Sequence, residues 1–370
     1  MSSLDLIPIT EWYPSLDKKP LIISGPCSAE SENQLLQTAH EISEIKQVKV
    51  LRAGIWKPRT SPNSFEGVGE IGLEWLKTAR QETGLLTTVE VTTPEDIESA
   101  LRYSIDILWI GARSSSNPVF IRKLADALKG VDIPVLVKNP INPDIDLWIG
   151  TLERFNKVGI TKLAAIHRGF FPFEKTSLRN IPKWEIAIEL KRRLPDLPVI
   201  TDPSHIAGHV DTIFEIAQKA IYLGTDGLMI ECHIDPPNAL SDSRQQLTPA
   251  QLKKLLSTLV YSHFVSEIKL THDKLEMYRE QLDSIDSQLI ELLSQRMSVV
   301  DNIGQYKKEN NLSIFQLRRW QKTISLNTRI GRKLGLSKDF LVKLISLIHM
   351  ESILRQNEIM DQKEEQEKLK

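Results

Sequence analysis

Cations, a thiol, imidazoles and carboxylates recur in this chain directly after short apolar runs. Leu21–Ser24 runs into Gly25-Pro26-Cys27-Ser28, and Val48–Leu51 into Arg52, with Lys57-Pro58-Arg59-Thr60 just beyond. Leu85–Val89 has Glu90 at its edge, and Ile107–Ile110 is followed by Gly111-Ala112-Arg113. Val135–Val137 leads to Lys138-Asn139-Pro140, and Leu163–Ile166 to His167-Arg168-Gly169. Val199–Thr201 leads to Asp202-Pro203-Ser204-His205, and Gly227–Ile230 to Glu231-Cys232-His233. Cys27, His205, Glu231 and the loop residue Asp242 together offer a thiolate, an imidazole and two carboxylates. That mixed set suits a borderline divalent cation better than a closed structural zinc site. Each residue also has a plain structural use: a small buried thiol, a satisfied imidazole, a capping carboxylate. Cys232 adjoins Glu231 on a strand, so it faces the other way and is expected to pack. His233 is expected beside the ligands and not among them.

Arg52, Lys57, Arg59, Arg113, Lys138 and Arg168 follow the same kind of apolar run. Clustered cations repel one another unless anions fill the space between them. Arginine suits bidentate phosphate or carboxylate binding and lysine a point contact. The set predicts a ligand, or ligand pair, with at least two strongly anionic groups. A lone arginine is usually a solvated helix face, but these follow apolar strands.

For those residues to meet, the runs must be parallel strands with their ends at one mouth. Helical patterns lie between them. Ser31–Ile45 opens with a Ser31-to-Gln34 capping-box spacing, Glu70–Glu82 stops at Gly84, and Thr93 caps Pro94–Tyr103. Pro118–Leu128, Ile145–Val158, Lys183–Leu194, Val210–Leu223 and Thr248–Ile268 follow. Strand–helix alternation means βαβ units. About eight of them over Leu21–Ile268 predict a closed (β/α)8 TIM barrel, whose active site lies where the strands end. An open doubly wound sheet is the rival on pattern alone. From His272 onward there is no proline and no strand-like run, and helices are predicted over Asp273–Asn310, Gln316–Arg332 and Ser337–Gln362. The reading is an α/β barrel over residues 1–268 followed by an all-α three-helix domain over 269–370. The first of these helices carries an apolar stripe of Leu282, Ile285, Leu289, Leu292, Leu293, Val300 and Ile303. Two partner helices cannot cover so long a stripe, which implies a second copy of the chain.

Composition narrows the class. The net charge of −1 gives no overall field to attract nucleic acid or an anionic membrane, so anions must be held by local clusters. Two cysteines form no disulfide framework. The start lacks the pattern of a secretory signal, and no apolar run approaches the roughly 20 residues that cross a bilayer. A cytoplasmic protein is expected.

The barrel motifs, with Ala239-Leu240-Ser241-Asp242, occur in the order seen in 3-deoxy-D-arabino-heptulosonate 7-phosphate (DAHP) synthases. The chain most resembles the compact branch of that family, which is related to 3-deoxy-octulosonate 8-phosphate synthase. The resemblance implies condensation of phosphoenolpyruvate with erythrose 4-phosphate. It implies Cys27, His205, Glu231 and Asp242 as ligands of a divalent metal, manganese first, with iron, cobalt or zinc as alternatives. Arg113 and Arg168 would hold the phosphate of phosphoenolpyruvate, with Arg52, Lys57 and Lys138 completing its site. Arg59, Thr60 and Ser61 would face the sugar phosphate, and Glu90 could orient a water. Many relatives carry an acid where this chain has His167. The sister enzymes, which use arabinose 5-phosphate, usually read Lys-Ala-Asn-Arg where this chain has Lys57-Pro58-Arg59. A metal-dependent barrel aldolase that releases no phosphate is a further rival.

In the helical region Arg296 and Lys307 share the apolar stripe, three turns apart, and Gln356 continues the stripe Ile345, Ile348, Ser352. Such cations either pair, snorkel to water, or bind an anion. Leu282-Asp283-Ser284-Ile285-Asp286, Leu292-Leu293-Ser294-Gln295-Arg296 and Ile303-Gly304-Gln305-Tyr306-Lys307 resemble the all-helical chorismate mutases. By that resemblance Arg279 (from a partner subunit) and Arg296 hold two carboxylates. Lys307 and Gln356 donate to the ether oxygen of chorismate, and Arg319 and Ser352 contact the hydroxyl and carboxylate end. Gln316 and Trp320 depart from the acids common at those positions. The whole is expected to be a bifunctional shikimate-pathway enzyme, a homodimer through its helical domain, which could sense chorismate or prephenate for feedback. The rival is a helical module that only dimerises the chain or binds its ligand.

Overall fold

Alternation along a strand sends successive side chains to opposite faces, and in a closed barrel one of those faces is the interior. In this computed structural model, which describes residues 4–57, 65–173, 176–261 and 269–367, eight parallel strands close in chain order. They are β1 Leu21–Gly25, β2 Val48–Arg52, β3 Leu86–Val91, β4 Ile107–Ile110, β5 Val135–Lys138, β6 Leu163–His167, β7 Val199–Thr201 and β8 Gly227–Glu231. Val50, Leu136, Ile166, Ile200 and Met229 belong to one buried inner cluster. Their neighbours Leu51, Val137, Ala165, Val199 and Leu228 join the outer core beneath the helices. One step of two further along the inner face comes Arg52, Lys138, Arg168, Asp202 and Glu231. The face that fills the barrel with apolar side chains therefore delivers charge at its mouth.

The other end is closed by a segment that sequence reading left unassigned. Short 3-10 turns at Ile9–Glu11 and Pro14–Leu16 place Ile9, Trp12 and Leu16 in the inner cluster. Around the barrel lie α1 Glu32–Ser43, α2 Ile71–Thr83, α3 Pro94–Arg102, α4 Ala112–Ser115, α5 Pro118–Ala127, α6 Ile145–Lys157, α7 Trp184–Arg193, α8 Pro203–Ala207, α9 Ile213–Tyr222 and α10 Pro249–Thr258. Thr93 with Asp96, and Thr248 with Gln251, complete both halves of a capping box. Ser31 makes only half of one, because Gln34 Oε1 accepts from Glu30 N and not from Ser31 N. The helix predicted to reach Ile268 stops at Thr258. There the Gln218 carboxamide takes the N–H of Val260 and donates to its carbonyl, both at 2.9 Å, holding the chain extended.

Two compact units divide at Ser262 and His263. The expected boundary at residue 268 falls outside the described residues. The second unit comprises α11 Lys269–Glu309, α12 Leu317–Lys333 and α13 Lys338–Glu367. Gly304 lets α13 approach α11: a Cβ there would lie 2.9 Å from Ile359 Cδ1 and 3.2 Å from Gln356 Cγ.

Candidate active site

Asp202 organises one side of the barrel mouth. It caps α8, its Oδ1 accepting from His205 N at 3.0 Å. Its Oδ2 lies 2.8 Å from His205 Nδ1 and 3.1 Å from Lys138 Nζ. Nδ1 makes no formed hydrogen bond, but the charge of the adjacent carboxylate favours the ring orientation that turns Nε2 inward, the arrangement found around metal-binding histidines. His205 Nε2 is 3.9 Å from Glu231 Oε1. Glu231 is fully buried, and Arg52, 1% exposed, approaches it to 3.0 Å with its guanidinium over the Trp109 ring.

On the other side, Cys27 Sγ lies 3.5 Å from Asp242 Oδ2, and Lys57 Nζ lies 3.2 Å from the sulfur and 2.6 Å from the Cys27 carbonyl. One ligand atom from each of Cys27, Glu231 and Asp242 falls within 4.8 Å of the other two. Glu231 Oε1 is buried and makes no hydrogen bond, although it faces Arg52 and His205. Burial pushes the Cys27 thiol up to about 11, with Glu231 adding to the effect and Lys57 opposing it. Burial alone would also raise the Asp242 carboxyl, but His205 and Arg179 hold it well below the usual range. A thiol that a cation would deprotonate, an inward imidazole nitrogen and two ionised carboxylates fit a divalent ion. Three of the predicted ligands, Cys27, Glu231 and Asp242, come together, and His205 stands outside that trio with its Nε2 3.9 Å from Glu231 Oε1.

A cavity of about 320 Å³ opens beside this cluster, lined by Lys57, Glu90, Arg113, Lys138, Arg168, Arg179, Asn180, His205 and Asp242. Arg168 is anchored at both ends. Its N–H donates to Asn139 Oδ1 at 2.7 Å and its Nη1 to Asn180 Oδ1 at 3.0 Å. Burial lowers its guanidinium to about 10, so it stays charged at neutral pH. Burial likewise lowers Lys138, against the pull of Asp202. Gly111 makes room for Glu90, since a Cβ there would stand 2.0 Å from Glu90 Oε1. Arg59, Thr60 and Ser61 lie outside the described residues. His167 alternates to the outer face. It is fully buried, packs against Phe170 and Trp184, and bonds the Pro182 carbonyl at 2.5 Å. Cys232 belongs to the outer core.

Sequence reasoning gave no role to Asp202, Arg179, Asn180 or Gln245. Asp202 had a local signal, a carboxylate three residues before His205 at a helix start. Arg179 and Gln245 had none, because their contact joins two distant loops.

In the helical unit Arg296 Nη1 donates to Ser352 Oγ at 2.7 Å, and Gln356 Nε2 to the Ser352 carbonyl at 2.8 Å. Gln356 Oε1 is buried without a partner. Lys307, 9% exposed, donates to the Ile314 carbonyl at 2.6 Å. His349 stacks on Trp320 with centroids 4.0 Å apart. Its pKa is lowered by burial first, with Arg296 and Lys307 adding to the effect. Arg319 is exposed on α12. Arg279 is exposed and pairs with Glu276. It precedes Arg296 by 296 − 279 = 17 residues on the continuous helix α11, so about 26 Å separates them along the axis. One chain does not bring them together.

A closed parallel barrel whose mouth holds buried cations beside a thiol–imidazole–carboxylate cluster defines an enzyme of anionic substrates. The DAHP synthetase I family model matches residues 14–264, and that of chorismate mutase type II matches residues 278–357. The chain belongs to the DAHP synthetase I family and carries a chorismate mutase domain, which gives it a transferase and an isomerase activity. The phospho-2-dehydro-3-deoxyheptonate aldolase of Thermotoga maritima is 37% identical over 238 residues, covering 64% of this chain and 68% of that protein. The 2-dehydro-3-deoxyphosphooctonate aldolase of Variovorax paradoxus is 27% identical over 270 residues, covering 66% and 90%. The crystal structure of the Thermotoga maritima DAHP synthase matches with TM-score 0.59 and 35% identity, over 65% of this chain and 67% of that one. Its truncated form matches with TM-score 0.56 and 33% identity, over 64% and 84%. DAHP synthases depend on a divalent metal in general.

Proposed function

We propose that Cys27, His205, Glu231 and Asp242 hold a divalent cation, manganese before iron, cobalt or zinc, at the mouth of a DAHP synthase barrel. When bound, that cation supplies Lewis acidity to the aldehyde oxygen of erythrose 4-phosphate. Arg113 and Arg168 take the phosphate of phosphoenolpyruvate, and Arg52, Lys57 and Lys138 complete its phosphate and carboxylate site. Fixing the enol carbon beside the aldehyde removes most of the entropic barrier to bond formation. Glu90 orients the water that adds at the phosphate-bearing carbon before phosphate leaves. Arg59, Thr60 and Ser61 face the sugar phosphate. The observation that carries this reading is the meeting of three ligand atoms within 4.8 Å beside a cavity lined by Arg113, Lys138 and Arg168. The test is inorganic phosphate released from phosphoenolpyruvate and erythrose 4-phosphate, with and without chelator. Release only with arabinose 5-phosphate, or release unaffected by chelation and metal return, overturns it.

The helical unit rearranges chorismate to prephenate. Arg296 and the partner subunit's Arg279 hold its carboxylates, Lys307 and Gln356 meet the ether oxygen, and Arg319 and Ser352 contact the hydroxyl end. The rearrangement needs no nucleophile; compaction and stabilisation of charge on the ether oxygen suffice. Support for a shared pocket is the axial distance that keeps Arg279 from Arg296 within one chain. Arg296→Ala should abolish mutase activity in a folded protein. A parent without that activity would leave a dimerising or ligand-sensing module. We place the enzyme in the cytoplasm, with no nucleic acid or membrane partner. Among the described residues no helix is long and apolar enough to cross a membrane.

A further inference from the structure

Two adjacent glutamines touch three of the four proposed cation ligands. Gln245 and Gln246 are each 1% exposed. Gln245 Nε2 donates to Glu231 Oε2 at 2.6 Å and to Asp242 Oδ2 at 3.2 Å. Its Oε1 accepts from Arg179 Nη1 at 2.6 Å, and the same nitrogen lies 2.9 Å from Asp242 Oδ1. Gln246 Oε1 accepts from Cys27 N, and its Nε2 donates to the Ser241 carbonyl, both at 2.8 Å.

The direction of the Gln245 amide follows from its neighbours. A carboxamide has an accepting end and a donating end, whereas guanidinium only donates and carboxylate only accepts. Arg179 therefore takes the oxygen and turns both N–H groups onto the carboxylates. A reversed amide would set its oxygen against two anions and its N–H groups against a cation. A buried and a partly buried carboxylate also repel each other, and donors shared between them relieve that cost. Asp242 sits at φ 49°, in the left-handed region that a residue with a side chain occupies only when its surroundings hold it there. Arg179 and Gln245 grip it from two sides. With Gln245 on Oε2, Glu231 keeps Oε1 facing His205 Nε2.

We infer that Gln245, oriented by Arg179, is a positioning residue that holds Glu231 and Asp242 together in the arrangement a divalent cation needs. The inference rests on reading Cys27, His205, Glu231 and Asp242 as the cation site.

The test uses the full chain. Mn(II) dissociation constants are measured by competition with a chelating dye, and the Cys27 thiolate-to-metal absorption band is recorded after Co(II) loading. Gln245→Leu should weaken Mn(II) binding about 10–100-fold, the usual effect of removing such a support, and shift the Co(II) band. Arg179→Gln changes a side chain that is 41% exposed, so it threatens folding less. It should weaken Mn(II) binding in the same direction. The double variant should be little worse than Gln245→Leu alone, because one residue acts through the other. Circular dichroism of each apo variant checks the fold. Mn(II) affinity within about threefold of the parent in folded Gln245→Leu overturns the inference, as does full additivity in the double variant. If Arg179→Gln raises KM for erythrose 4-phosphate and leaves Mn(II) affinity alone, Arg179 is a substrate ligand and the orienting role fails. A parent that binds no cation removes the site itself, a separate failure visible before any variant is made.

Discussion

Arg52, Lys138 and Asp202 are almost fully buried, and each has an opposite charge within 3.1 Å. Burying such charges costs several kcal/mol apiece unless they are paired, so the mouth is assembled as an alternating network. His167 follows the opposite course. Burial lowers its imidazole to about 4, against the opposing bond to the Pro182 carbonyl, so it is neutral in the folded barrel at pH 7. In the unfolded chain it titrates near 6.5. The unfolded state therefore binds more protons between these values. His167 favours the fold fully above about 6.5 and loses that contribution as pH falls towards 4. The loss amounts to about 3 kcal/mol. Urea unfolding of the parent and of His167→Gln, compared at pH 7 and pH 5, should show a steeper loss in the parent. Equal losses would mean that the buried imidazole is not what makes the barrel acid-sensitive. Which residues carry charge at the mouth was legible as residue type after an apolar run. That His167 turns outward while Arg168 turns inward follows from strand alternation, but only once the strand is known to include His167.

At the scale of elements, β4 and β7 were read with their observed bounds, while β1, β2, β5, β6 and β8 were each read one residue short at the end. Arg52, Lys138, His167 and Glu231 each close a strand, and polar residue types mask the continuation of an apolar run. The short helices α4 and α8 were also missed, because four or five residues give no period to detect. They carry Arg113 and His205, so the loops do part of the positioning. The long helix shows the reverse. Its pattern was plain, and its open face could be foreseen: Leu282, Ile285, Leu289 and Leu292 are each more than half exposed. Along a helix of 41 residues, about 60 Å, that stripe is far larger than stray surface leucines. A second copy of α11 matches its length and composition, and would bring the partner subunit's Arg279 near Arg296. Leu289→Glu with Leu292→Glu should halve the mass in solution, measured by light scattering, and remove mutase activity while phosphate release persists. A monomeric parent, or a dimeric and active double variant, would show that the stripe has another use.

At the scale of the whole molecule, two chemistries share one chain, with a net charge of −1 that gives neither unit a long-range attraction for its anionic substrates. Each must hold them with local cations, and the two proposed sites use different devices: converging strand ends in one, a stripe of helix surface in the other. Sequence showed both sets of cations but not whether occupancy of one site is felt at the other, since coupling is a difference between two states and not a property of any residue. The sequence resemblance leads us to propose that the helical domain reports chorismate or prephenate to the barrel. If it does, linkage makes the effect mutual: whatever factor prephenate takes from phosphoenolpyruvate affinity, phosphoenolpyruvate takes from prephenate affinity, a tenfold factor being about 1.4 kcal/mol. Prephenate titrated into the phosphate-release assay should lower the rate to a plateau, and Arg296→Ala, which weakens its binding, should move that plateau to higher concentration. Calorimetry of prephenate binding with and without saturating phosphoenolpyruvate supplies the reciprocal factor. A synthase rate that is unchanged at saturating prephenate rules out the sensor. Inhibition that competes with phosphoenolpyruvate and survives Arg296→Ala unshifted would instead place prephenate in the barrel, where the cavity lined by Arg113 and Arg168 offers cations to a carboxylate as well as to a phosphate.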